Sequence, residues 1–252
     1  MFLLRLADFL RVLSVKKKSI LGLFRKGSSL ASTQIFHAIR CQVDQLNTII
    51  DVGANQGQFA LAASESYPQS FIYSFEPVPH VFRRLQNNTK RNTRIRHFPF
   101  GLGDEDGDIN FFENQYSHAS SALPLSKVQS ELFSNTNSVT ATTIAIRKLD
   151  TIIDEIEIRS PLLLKLDVQG YEVDVLRGGK GFLKHVDYLL VEVSFVPMYE
   201  GELLFDEMHS FIKENGFELM GPVGFLQSSD LQILQMDMLY KKASSKKYKV
   251  AK

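Results

Sequence analysis

The stretch "IIDVGANQGQFA", residues 49–60, places an acid and two glycines where an apolar run stops. Gly53 lets the chain leave a strand in a conformation that a side chain would obstruct, and it lets a ligand approach the backbone. Gly57 opens the helix that follows, whose unpaired N–H groups favour an anionic group. Asp51 under the turn would repel a diphosphate but suits a cation, such as an ammonium or a sulfonium. The spacing is G-x-x-x-G and lacks the G-x-G-x-x-G of dinucleotide sites. Acid and spacing together point away from a dinucleotide and toward S-adenosylmethionine. The bland alternative is a tight strand–helix connection that binds nothing.

Two further acids end strand-like runs. An acid about 20 residues past a glycine turn is where a ribose diol is gripped, and Glu76 stands in that place. Its two oxygens match two hydroxyls. Asp104 closes the next run and is a candidate partner for an adenine amino group, or else a turn-former in "GDEDG". The segment "KLDVQGYE" supplies candidates for proton chemistry. Lys165 and Asp167 lie two apart on a strand and share a face. Gly170 breaks that strand, Glu172 begins the next helix, and Glu192 ends the neighbouring strand. Asp167 is the favoured base, with Glu172 and Glu192 as alternatives and Lys165 holding a carboxylate or a substrate oxygen. An ion pair of Lys165 with Asp167 or Glu192 that only shapes the strand ends competes with that reading. Several acids in one cleft also suit Mg²⁺, although no dedicated ligand spacing stands out. His118, Ser120 and Ser121 fall in a polar loop that either lines the acceptor side or is merely solvated.

These residues need a scaffold, and the hydrophobic pattern describes one. Strand-like runs at 48–54, 70–77, 94–101, 161–170 and 186–195 alternate with helical segments at 57–66, 79–91, 171–184 and 205–217. Asp106-Gly107 is a turn signal before an alternating run, and 138–146 alternates again. Residues 115–138, rich in Ser and Asn, read as a loop with little regular structure. Residues 232–242 alternate and close the sheet. Such a rhythm implies a mainly parallel sheet covered on both faces, with ligands beyond the carboxyl ends of its strands.

The chain has 252 residues, a formal charge of +1 and 44% apolar residues, which suits one large domain with a real core. A near-neutral balance gives no basic stripe for nucleic acid. Cys41 is the single cysteine, so no intramolecular disulfide forms, and a reducing, cytoplasmic setting fits. No apolar run approaches the roughly 18 residues of a membrane span. Residues 1–27 carry Arg5, Arg11, Lys16, Lys17, Lys18, Arg25 and Lys26 against Asp8, with Leu3, Leu6, Leu10 and Leu13 at helical spacing. That pattern is a basic amphipathic segment, packed on the main body at 28–242 or lying on an anionic membrane surface. Residues 243–252 read as a polar tail.

"DVGANQGQF", "FEP", "KLDVQGYE", "LLVEVSF", "YEG" and "DMLY" together resemble the FkbM family of S-adenosylmethionine-dependent methyltransferases, across roughly residues 48–242. The resemblance implies the class I, Rossmann-like α/β fold, with a seven-stranded, mainly parallel sheet, helices on both faces and one antiparallel strand at the edge. It implies methyl transfer to oxygen, often on a sugar, glycan or polyketide. It also implies that Asp51, Gly53, Asn55 and Gly57 form the cofactor turn and that Glu76 holds the ribose. Phe59, which ends the first motif, is counted with the cofactor set. The expected acceptor is a hydroxyl on a sugar, glycan or related metabolite. A nitrogen methyltransferase acting on an amine, and a module that binds S-adenosylmethionine without catalysis, are the alternatives.

Overall fold

The computed structural model describes residue 27, residues 29–133 and residues 136–243. The amphipathic reading of residues 1–27 and the reading of the polar tail lie, Gly27 and Ala243 apart, outside the described residues. No helix among the described residues is long and apolar enough to cross a membrane.

The central strands are β1 (Thr48–Val52) and β7 (Leu162–Leu166), and every residue of both is buried. Runs of this kind, apolar at nearly every position, suit a sheet covered on both faces. Alternation still sorts the side chains. Ile50, Val52, Leu164 and Leu166 join one core, while Ile49 and Leu163 join the other. Around them lie β2 (Phe71–Phe75), β3 (Ile95–Phe98), β8 (Tyr188–Ser194), β9 (Phe217–Gln227) and β10 (Ile233–Lys242). The sheet has seven strands in the order β3-β2-β1-β7-β8-β10-β9. All pairs from β3 to β8 are parallel, and β10 is antiparallel to both β8 and β9.

The seven-stranded α/β sheet expected from the sequence is therefore present, with one correction. The antiparallel strand is not at the edge. It is β10, inserted between β8 and β9, and β9 takes the edge. Gly221, Pro222 and Gly224 argue against a strand at 217–227, yet β9 forms there. An edge strand tolerates proline, since its N–H side faces no partner.

The helices are α1 (Leu30–Arg40), α2 (Gln58–Ser66), α3 (Pro79–Thr89), α4 (Lys127–Leu132), α5 (Glu172–Arg177) and α6 (Phe205–Glu214). The helix α1 is not foreshadowed by the hydrophobic pattern described above; its Phe36 and Ile39 are fully buried in the core with Phe59 and Ile49. The helix expected over 171–184 is shorter: α5 stops at Gly178, and a 3₁₀ turn follows at Phe182–His185. The expected loop at 115–138 contains α4 and a 3₁₀ turn at Ser117–Ala119. Ser126 caps α4 by accepting from the Gln129 N–H at 3.0 Å.

A second, three-stranded sheet contains β4 (Gly101–Leu102), β6 (Val139–Arg147) and β5 (Gly107–Asn114), in that order. Its Phe111, Ile144 and Ile146 pack on Val78 and Val81 at the start of α3. The register sets Val52 beside both Phe75 and Leu166, and Leu166 beside Val191. The segments after β1, β2, β7 and β8 thus emerge on one edge. Because β10 runs the other way, its first residues reach the same edge, with Gln235 beside Ser194 and Asp237 beside Glu192.

Candidate active site

At that edge, Lys165 is the hub. Its side chain is 6% exposed, and Nζ lies 3.1 Å from Asp51 Oδ1 and 3.5 Å from Asp167 Oδ2. Nζ also donates to the carbonyl oxygens of Val52 at 3.1 Å and Gly53 at 2.9 Å, and it stands 5.3 Å from the Phe59 ring centre. Burial works against the ammonium, but Asp51 and then Asp167 outweigh it and hold its pKa above the ordinary lysine range. With those groups around it, an ammonium of three N–H donors has none to spare for a substrate oxygen. The expectation that Lys165 holds a carboxylate stands, and its partners include Asp51, which the sequence reading had assigned to a ligand cation.

Asp51 is fully buried and accepts from Ser74 Oγ at 3.4 Å. Burial pushes its pKa up, and Lys165 opposes the shift. It does not line the cavity described below, so the cation it faces is the chain's own. Gly53 has φ of +73°, and a Cβ there would lie 1.9 Å from the Asp167 carbonyl oxygen. The glycine is thus required by the contact between the ends of β1 and β7. Gly57 is buried, caps α2 with φ of +89°, and packs against Leu85 and Thr89.

Glu76 is buried, and its two oxygens each accept a backbone N–H at 2.9 Å, from Asn55 and from Val78. Burial still raises its pKa to about 7. Each oxygen keeps acceptor capacity toward the cavity it lines. Asn55, at φ of +47°, accepts from Ser117 Oγ at 3.0 Å and meets His118 Nδ1 at 3.1 Å. Asp104, the candidate partner for adenine, is exposed and does not line the cavity. Gly101 and Leu102, just before it, do line the cavity.

The candidate bases separate clearly. Glu172 is buried, accepts the Val168 N–H at 2.8 Å and does not line the cavity, so it braces the turn after β7. Burial raises its pKa to about 8. Asp167 and Glu192 both line the cavity, and one nitrogen joins them: Gln169 Nε2 donates to Asp167 Oδ1 at 2.7 Å and to Glu192 Oε2 at 2.9 Å. Gln169 Oε1 accepts from Tyr199 Oη at 2.7 Å, and Gln235 Nε2 reaches Glu192 Oε2 at 3.1 Å. Burial, and then Asp167, raise the Glu192 pKa well above the carboxylate range. Asp237 completes the group; burial and then Asp167 raise its pKa to about 7, against the pull of Lys165. Sequence reading gave no role to Gln169, Gln235 or Asp237, and offered Tyr199 only as a residue that closes over the acceptor or forms a turn. The motif itself contains Gln169, while Gln235 and Asp237 arrive only through the reversed direction of β10. Among the described residues, no group of three or more His, Cys, Asp or Glu side chains could hold a metal ion.

A cavity of about 470 Å³ joins these parts. It runs from Val52–Asn55 and Glu76 past Leu102 and Ile146 to Asp167, Glu192 and Asp237, with Ser117–Ser120 along one wall. Its size falls in the ~300–1,000 Å³ range of ligand sites.

The Methyltransferase FkbM domain model matches residues 51–219. The chain belongs to that family. Among its relatives is the 2-O-methyltransferase NoeI of Sinorhizobium fredii, 31% identical over 166 residues, with 62% of this chain and 66% of the relative aligned. The hexuronic acid methyltransferase AglP of Haloferax volcanii is 28% identical over 153 residues, covering 60% of this chain and 58% of its own. Methyltransferase 1 of Beauveria bassiana is 31% identical over 188 residues, covering 67% and 71%. The chain therefore spans somewhat under two thirds of the length of the first two relatives.

Proposed function

We propose that the protein transfers a methyl group from S-adenosylmethionine to a hydroxyl of a sugar or glycan. The observation that carries this reading is the shared cavity, which is lined by Glu76 and the 53–55 turn together with Asp167 and Glu192. The names of NoeI and AglP, a 2-O-methyltransferase and a hexuronic acid methyltransferase, favour the sugar acceptor.

The residues present fit that cofactor. Glu76 offers acceptor capacity for a ribose diol, and Leu102, Ile144 and Ile146 give apolar walls for a base. The first N–H groups of α2 face the turn and suit a carboxylate. S-adenosylmethionine supplies, when bound, a methyl group already activated by its sulfonium.

What the chain must add is alignment and a place for the acceptor's proton. Alignment contributes up to roughly 7–11 kcal/mol, and a positioned base roughly 10²–10⁴-fold. Asp167 takes the base role in this reading. Its Oδ2 is anchored by Lys165 and its Oδ1 by Gln169, so the carboxylate is held in place beside the cavity. It is also the more exposed partner of the Lys165 cluster, at 38% against none for Asp51. Glu192 shares the amide and is the reserve candidate.

Asp167→Asn tests the assignment. Turnover is expected to fall about 10²–10⁴-fold, with affinity for S-adenosylmethionine within a few-fold of wild type by calorimetric titration. Normal turnover in that variant removes Asp167 as the base.

A further inference from the structure

Gln129 carries a buried amide oxygen that nothing among the described residues satisfies. Ser126-Lys127-Val128-Gln129 has the spacing of a capping box, in which the fourth residue reaches back to the N–H of the cap. Only half of the box forms. Ser126 Oγ accepts the Gln129 N–H, but the Ser126 N–H donates to the Met198 carbonyl at 3.0 Å. The Gln129 side chain is left without its usual task. It lines the cavity at 5% exposure, with Oε1 unpartnered. A buried acceptor without a donor destabilises a protein, and a ligand that brings the donor removes that cost.

The charges along the same cavity point the same way. Among the described lining residues the acids are Glu76, Asp167, Glu192 and Asp237, and the basic side chains are Lys165 and His118. The Lys165 N–H groups are committed to Asp51, Asp167 and two carbonyls. His118 Nδ1 is committed to Asn55. Among the described lining residues no Lys or Arg is free to receive a carboxylate or a phosphate. An anion brought among Asp167, Glu192 and Asp237 would meet the Asp167 carboxylate and push the raised pKa values of Glu192 and Asp237 further up.

We infer that the acceptor is a donor-rich polyol, neutral or aminated, that carries no anionic group on the bound sugar and donates a hydrogen bond to Gln129 Oε1. This rests on the methyl-transfer reading above and narrows its acceptor class. It separates the protein from its relative AglP, whose name specifies a hexuronic acid. Gln129 is then a specificity-determining residue, distant from proton transfer.

The test uses the full chain. Binding of S-adenosylmethionine is measured first; a protein that does not hold it sinks the methyl-transfer reading rather than this inference. The loaded protein is then offered neutral, amino, carboxylated and phosphorylated mono- and oligosaccharides, with transfer of a labelled methyl group as readout. Transfer is expected for neutral or amino sugars and at least about tenfold weaker for their carboxylated counterparts. Gln129→Met is expected to raise KM for the best sugar about tenfold, with kcat and cofactor affinity little changed. Since it removes an orphaned acceptor, the same variant should melt no lower than wild type, which separates lost recognition from lost folding. Efficient transfer to a carboxylated or phosphorylated sugar overturns the inference. So does an unchanged KM in Gln129→Met, or transfer to no sugar by a protein that binds the cofactor.

Discussion

Removing the Lys165 ammonium would leave Asp51 in the core without its counter-ion. Breaking a buried pair from one side costs about 3–5 kcal/mol, so Lys165→Met should lose that much in chemical denaturation. Asp51→Asn in the same chain should restore a large part, because no buried charge then stands alone. Failure of the second change to help would mean that the Lys165 contacts to Val52, Gly53 and Asp167 dominate. Glu172 gives a pH-dependent counterpart. Its folded pKa of about 8 lies above the ordinary glutamate value of 4.5. The folded state therefore holds the proton more tightly than the unfolded state. Stability from this group is greatest below pH 4.5 and is lost as pH rises toward 8. Glu172→Gln keeps an acceptor for the Val168 N–H and removes the titration. It should raise Tm at pH 8, change little at pH 5, and flatten the slope between. At this scale the sequence exposed residues whose motif fixes their place: Lys165, Asp167, Glu76 and the turn. It did not reveal that Asp51 faces Lys165, because a neighbouring strand supplies that cation and no local spacing shows it. It missed Asp237 and Gln129, whose approach to the site depends on strand order and on an incomplete cap.

The ends of β1 and β7 are close enough that backbone meets backbone, and Gly53 is the residue that permits it. A methyl group at that position would lie 1.9 Å from the Asp167 carbonyl, on a φ of +73° that side chains avoid. Gly53→Ala should therefore push β7 and the Asp167 loop away from the turn. The expected result is a loss of stability above about 1 kcal/mol, together with loss of cofactor affinity and turnover. That joint loss differs from Asp167→Asn, which spares binding; a Gly53→Ala protein with full affinity would show that the strand ends can separate without cost. The regular elements were legible wherever hydrophobic periodicity ran unbroken, as in β1, β2, β7, β8 and α6. They were illegible where polar or breaker residues dominate. The α4 helix hides in a Ser- and Asn-rich stretch and is marked only by Ser126 and Gln129. The β9 strand hides behind Pro222 and its flanking glycines.

Across the whole molecule, the segment between β3 and β7 is built as a wall over the site rather than as a further layer of the main fold. Ser117 and His118 hold Asn55 in the turn after β1, and Ser121 Oγ donates to the Gln169 carbonyl at 2.6 Å in the turn after β7. One short stretch thus touches both turns that the proposed reaction uses, although they lie more than 100 residues apart in sequence. Polar contacts of this kind, exposed or part-buried, belong to the less stable end of a fold, where local opening is frequent. Cofactor that orders the 53–57 turn should therefore also order residues 115–122. Hydrogen exchange would read this directly. Addition of S-adenosylmethionine is expected to slow exchange in both segments of the wild type. In Ser117→Ala/His118→Ala the turn should still be protected while 115–122 is not, because the bonds that carry the coupling are gone. Equal protection of 115–122 in wild type and double variant would place the coupling elsewhere, in the apolar contacts of β5 and β6 with α3. No protection of 115–122 in the wild type would mean that the wall is fixed before the cofactor arrives, and that access to the cavity does not depend on it.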